Sequence, residues 1–195
     1  GVLAAPLLWY LGQRLGRPGG GFGILGGGYG AAQVAITGAE WLPGGWRGVQ
    51  VLAVLCAFKL MASSFTLGTG GSAGDFAPSL VIGGLFGGAF GRAAQLVTGD
   101  PRIDPGAFAL VGMGTLFGGI GHVPLSSMVL VCEMAGSYDL IVPLMLAEGI
   151  AFVALRKHHL YEAQPATRAS LVDKVRARLD LLVRDLAQAA AGALT

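Results

Sequence analysis

Between residues 48 and 155 the chain places nine charged side chains in 108 positions. A water-soluble domain carries about a quarter of its residues as charges, so a stretch this poor in charge cannot cover itself with a polar surface. The flanks differ from it. Residues 1–47 carry four charges, Arg14, Arg17, Glu40 and Arg47, and residues 156–195 carry eleven in 40 positions, seven basic and four acidic. Over the whole chain 53% of residues are hydrophobic and 12% charged, with a mean hydropathy of +0.66. Disorder requires the opposite balance. The 34 glycines show no three-residue period and prolines number nine, which excludes collagen. What fits is an all-α integral membrane protein lying in a lipid bilayer. A net charge of +2, dispersed along the chain, is not that of a nucleic-acid binder. Cys56 and Cys132 lie in apolar runs with no CxxC or histidine spacing, so they read as small buried hydrophobes rather than disulfide partners or zinc ligands. No metal site or cofactor is expected.

Hydrophobic patterning divides the charge-poor region into five helical segments: Val49–Leu67, Phe76–Val97, Ala107–Gly118, Pro124–Met134 and Leu140–Leu155. Several fall short of the ~20 residues that cross a bilayer. Short apolar segments interrupted by glycine predict a multi-helix bundle with broken and re-entrant helices, whose ends meet around a site or cavity. In the second segment Gly83/Gly87, Gly84/Gly88 and Gly87/Gly91 are each spaced by four. This small-xxx-small pattern lets backbones approach closely, within one chain or between copies. Lys59 and Arg92 are expected to snorkel from helix ends. Glu148 has no obvious local partner and reads as facing a water-filled vestibule or a subunit contact, while Glu133 reads as structural.

From Ser170 to Ala191 the pattern becomes amphipathic. Leu171, Val175, Leu179, Leu182 and Leu186 share one face, with Arg176, Asp180 and Arg184 on another, and Ser170 with Asp173 forms a capping-box-like start. This predicts a helix docked on the protein or membrane surface. The basic flank after the last apolar run points to a cytoplasmic C-terminus. The division expected is an N-terminal helix or loop over 1–25, a membrane domain over 26–160 and a cytoplasm-facing helical tail over 161–195. The chain starts at Gly1 without a signal-peptide layout, and reads as a piece of a longer protein.

Chemistry concentrates in residues 66–79, where a glycine-rich stretch runs straight into a helix start. Asp75 suits an N-cap, and Pro78 is tolerated in a first turn because its missing N–H would have no partner there. The first N–H groups of a helix lack intrahelical acceptors. Where water is scarce, a side chain, an ordered water or an anion must meet them, and the positive helix end favours the anion.

Gly74-Asp75-Phe76-Ala77-Pro78 resembles the G-x-F-x-P signature of the CLC chloride channel and transporter family. Other stretches resemble that family in the same order. They are the glycine-tyrosine motif at Gly26-Gly27-Gly28-Tyr29-Gly30, Gly112-Met113-Gly114 followed by His122-Val123-Pro124-Leu125-Ser126, and the run Val129-Leu130-Val131-Cys132-Glu133-Met134. Leu160-Tyr161 stands after the last membrane helix, where the family places its anion-coordinating tyrosine. The resemblance covers roughly residues 26–165. It implies a fold of two inverted repeats, of which this chain holds most of the second, in a homodimer of independent pores. It implies transport of chloride, as a channel or a proton-coupled antiporter, in a prokaryotic plasma membrane. On this resemblance the backbone N–H groups of Asp75, Phe76 and Ala77 face the anion, the Tyr161 hydroxyl donates a further bond, and Gly70, Gly71, Gly74 and Pro78 shape the loop leading into the helix. The family's gating and proton glutamates belong to the other repeat.

Asp75 departs from an easy anion site. Ionised and facing the pore, it would repel chloride; turned to cap its own helix, it would take the amides the anion needs. The expectation is that it points away and bonds to the glycine loop or Ser72. Other readings remain. A fluoride-handling member of the family is the nearest. Gly70-Gly71-Ser72-Ala73-Gly74 matches the G-x-S-x-G pattern of serine hydrolases, with His122 as the available base, though an elbow needs a strand before it. A non-transporting membrane scaffold is the third. The favoured reading is a transporter, not an enzyme.

Overall fold

A computed structural model describes residues 27–69 and 74–158 and, in the tail, residues 172, 173, 175–181, 183 and 184. Two compact units divide the chain, Gly1–Leu160 and Tyr161–Thr195. The described residues of the first unit form six helices: α1 (Tyr29–Thr37), α2 (Trp46–Gly68), α3 (Phe76–Thr98), α4 (Pro105–Gly121), α5 (Pro124–Ala135) and α6 (Ile141–Ala154). No strand occurs among them. In the second unit, the described residues 172, 173, 175–181, 183 and 184 are helical.

Five of the six helices correspond to the segments predicted from patterning. Their ends are set by local chemistry. Asp104 accepts from the Gly106 N–H at 2.9 Å with Pro105 at the first helical position, so α4 starts two residues before the predicted Ala107. Gly99 and Gly136 adopt left-handed φ at the ends of α3 and α5. His122 does so at the end of α4 (φ 55°), and Pro124 then opens α5. The unpredicted helix is α1. Its glycine-rich start hid it, and its Ala31, Ala32 and Ala35 are buried because small side chains admit close neighbours.

By length and composition α2 and α3 can each cross a bilayer, both having 23 residues; α4, α5 and α6 are shorter, with 17, 12 and 14. Large apolar side chains lie outward along the bundle, among them Phe65, Phe86, Phe90, Leu125, Ile150 and Val153. A water-facing bundle would place polar residues there; lipid tolerates these.

The core has two parts. Leu52, Leu55, Val81, Leu85 and Ala109 pack with the alanines of α1. Leu80, Met113, Val131, Cys132 and Leu144 form the second part between α3, α4, α5 and α6. Helices α3 and α4 join them and run antiparallel with their backbones almost touching. A Cβ added at Gly83 would collide with the Gly112 carbonyl oxygen, one at Gly112 with that of Gly83, and one at Gly87 with that of Phe108. The glycine pattern therefore serves packing within the chain. Lipid supplies no hydrophobic force between helices, so this closeness contributes through van der Waals contact.

Gly87→Val in the full-length protein is expected to lower stability by about 1–3 kcal/mol through overpacking. Gly149→Ala, where an added Cβ meets nothing within 4 Å, is expected to stay neutral or gain up to about 1 kcal/mol from helix propensity. Thermal unfolding in detergent measures both.

Candidate functional site

The start of α3 is the candidate site. Asp75 holds the N-cap position but has helical dihedrals (φ −81°, ψ −12°) instead of the extended ones from which a capping side chain reaches back, and it makes no cap hydrogen bond. The first backbone bond of the turn runs from the Ser79 N–H to the Asp75 carbonyl oxygen at 3.1 Å, reinforced by the Ser79 hydroxyl donating to the same oxygen at 2.6 Å. The N–H groups of Asp75, Phe76 and Ala77 precede that bond and have no helical acceptor. Pro78 stands third in the helix, where it removes an N–H that would also lack one. Asp75 therefore leaves its own amides open. Its Oδ1 is buried with no hydrogen-bond partner among the described residues.

The surroundings follow from the antiparallel α3–α4 pair. The Phe76 ring packs edge-on against Phe117 with centroids 5.0 Å apart. This seats the first turn of α3 against the last turns of α4, next to where α5 begins. Gly74 is exposed. Gly70, Gly71, Ser72 and Tyr161 lie outside the described residues, so the structure brings together Gly74, Asp75, Phe76, Ala77 and Pro78 from the predicted set.

The charges inside the bundle are placed differently from expectation. Lys59 does not snorkel. It sits mid-helix in α2 and is buried, because Gly28 leaves room for it: a Cβ there would come within 3.0 Å of Nζ. Arg92 is half-buried, with its Nε buried and its guanidinium beside Gly38 at the C-terminus of α1 and near Gly48. A helix C-terminus favours a cation. Glu148 faces neither vestibule nor subunit contact. It is fully buried within this chain, and its Oε2 stands 2.8 Å from the Ser127 Oγ. Nothing near Glu148 in sequence announces that partner, which lies 21 positions away. Glu133 is exposed and accepts a hydrogen bond from the Tyr138 hydroxyl.

Other chemistry finds little support. No group of three or more His, Cys, Asp or Glu capable of holding a metal occurs among the described residues. Cys132 is buried and Cys56 half-buried, and both are free thiols. The segment holding Ser72 is preceded by α2, a helix, where a nucleophile elbow needs a strand. His122 has its ring against Phe152 and its Nε2 3.1 Å from the His158 carbonyl oxygen.

Comparison with known proteins agrees with the helical architecture. The family model described as "Voltage gated chloride channel" matches residues 1–156. An H(+)/Cl(-) exchange transporter ClcA of Vibrio vulnificus (strain YJ016) is 40% identical over 98 residues, which is 50% of this chain and 21% of the relative. ClcA of Vibrio cholerae serotype O1 (strain M66-2) is 38% identical over 102 residues, 52% of this chain and 22% of the relative. Chloride channel protein CLC-f of Arabidopsis thaliana is 37% identical over 110 residues, 53% of this chain and 14% of the relative. The chain thus spans about a fifth of the length of the bacterial relatives it matches.

The Phe76–Phe117 contact is expected to hold the first turn of α3. A double-mutant cycle of Phe76→Leu and Phe117→Leu, read by thermal unfolding, should return a coupling of about 0.5–1.5 kcal/mol. Strict additivity would mean that the rings contribute only their separate burial.

Proposed function

The chain belongs to the voltage gated chloride channel family, and on that footing we propose that it supplies part of a pathway moving chloride across a membrane. The observation that carries this reading is the uncapped start of α3. Three successive N–H groups, at Asp75, Phe76 and Ala77, have no helical acceptor, and the one carboxylate able to cap them does not. A dehydrated halide is matched by such donors: the helix end carries positive partial charge without a full cation. Binding is then strong enough to select the ion and weak enough to release it. The buried Lys59 lies elsewhere, against Gly28.

The Tyr161 hydroxyl is the further donor on this reading, and Gly70, Gly71 and Gly74 give the approach to the helix its freedom. The relatives include both an H(+)/Cl(-) exchange transporter and a chloride channel protein, so protons are a candidate second substrate. The whole protein would work as a homodimer in a prokaryotic plasma membrane, its basic C-terminal flank on the cytoplasmic side. The short helices and the outward apolar side chains fit that setting.

The test is chloride efflux from liposomes containing the full-length protein. Anion-selective flux supports the reading; its absence in folded protein defeats it. Tyr161→Phe should weaken the preference for chloride over nitrate by up to about tenfold, the loss of a hydrogen bond of about 0.5–1.5 kcal/mol, while leaving the melting temperature close to wild type. For Asp75→Asn, flux close to wild type is expected if the carboxylate faces away from the anion. A tenfold gain, about 1.4 kcal/mol, would put the carboxylate at the ion instead.

A further inference from the structure

The Glu148 carboxyl occupies a closed notch between three helices. Its side chain has no solvent exposure. Gly114 and Gly118, one turn apart on α4, leave the space for it: a Cβ at Gly114 would lie against Oε1, and one at Gly118 against the Ser127 Oγ and Oε2. Leu144 and Val131 complete the wall beside Gly114. Oε2 stands 2.8 Å from the Ser127 Oγ, and Oε1 is buried with no hydrogen-bond partner among the described residues. The same Ser127 Oγ lies 2.9 Å from the Pro124 carbonyl oxygen and 3.1 Å from that of Val123.

Hydrogen counting separates the two states of this acid. An ionised carboxylate offers about four acceptor sites, and here one hydroxyl at most could answer them. The ionisable groups on the surrounding helices do not help. None occurs on α4, Glu148 is the only one on α6, and α5 carries the buried thiol Cys132 and Glu133, which is exposed and engaged by Tyr138. His122, at the joint of α4 and α5, packs on Phe152 and meets the His158 carbonyl. A buried anion with one free oxygen and no cation on these helices is costly, the more so in a membrane. The neutral acid fits: its O–H donates to the Ser127 Oγ, and Ser127 passes its own hydrogen to the carbonyl of Pro124 or Val123, a bond helices accept readily.

We infer that Glu148 is a proton-binding site, holding its proton at neutral pH and using it to tie α6 to the first turn of α5 across the glycine notch of α4. The ligand is a proton, and the bond that holds it is the O–H of the acid. The site shares no residue with the start of α3 and does not depend on the anion reading. It gives this part of the chain a proton-carrying carboxyl of its own, distinct from the glutamates that the family resemblance assigns to the other repeat. Glu148 is in this sense a positioning residue: it acts on the helices through Ser127.

Infrared spectroscopy of the full-length protein in lipid at neutral pH tests it. A carboxylic-acid carbonyl band is expected in the wild type, lost in Glu148→Gln and shifted in Ser127→Ala. Glu148→Gln, neutral and able to donate to Ser127, should keep wild-type thermal stability, whereas Glu148→Leu should lower it. Should Glu148→Gln fail to fold, the shift in Ser127→Ala carries the assignment. A wild type with no acid band, or an acid band indifferent to both substitutions, overturns the inference.

Discussion

A helix that starts where water is scarce leaves backbone N–H groups without acceptors, and a bundle must either cap that start or use it. The start of α3 is left open. Asp75 sits in the capping position with dihedrals that keep its carboxylate off the amides, and Ser79 closes the first turn by bonding the Asp75 carbonyl instead. Much else in the bundle serves to hold this open end in place. Phe76 anchors it on Phe117, and the glycine face of α3 draws the helix against α4 until carbonyl oxygens stand where side chains would be.

The same use of glycine governs the charges. Three ionisable side chains inside the bundle lie next to glycines on a neighbouring helix or at its end: Lys59 beside Gly28, Arg92 beside Gly38 and Gly48, Glu148 beside Gly114 and Gly118. Missing side chains make the rooms that polar groups occupy. Close packing and placement of charge are therefore one design, since a residue that lets two backbones meet in one turn can admit a carboxyl in the next. The glycines of α4 do both, Gly112 meeting α3 and Gly114 and Gly118 admitting Glu148.

Much of this was legible in the sequence. Charge scarcity and short apolar runs located α2 to α6 within a few residues, because local pattern and local caps decide those ends. Asp75, Phe76 and Ala77 were legible as a helix start because a glycine stretch, a capping residue and an early proline stand together. Helix α1 was hidden by the glycines that begin it. The inward turn of Lys59 and Arg92 was not legible, because the glycines that admit them lie on other helices. Nor was the Ser127–Glu148 pair, whose members meet only after α5 and α6 have folded against α4.

The central claim is that the amides at the start of α3 receive the anion. Crystals of the full-length protein grown with bromide in place of chloride test it most directly, since bromide scatters anomalously and marks its own position. The account predicts a bromide peak within hydrogen-bonding distance of the backbone N–H groups of Asp75, Phe76 and Ala77. Bromide bound elsewhere in the pathway, with those amides covered by acceptors of the chain itself, would contradict it.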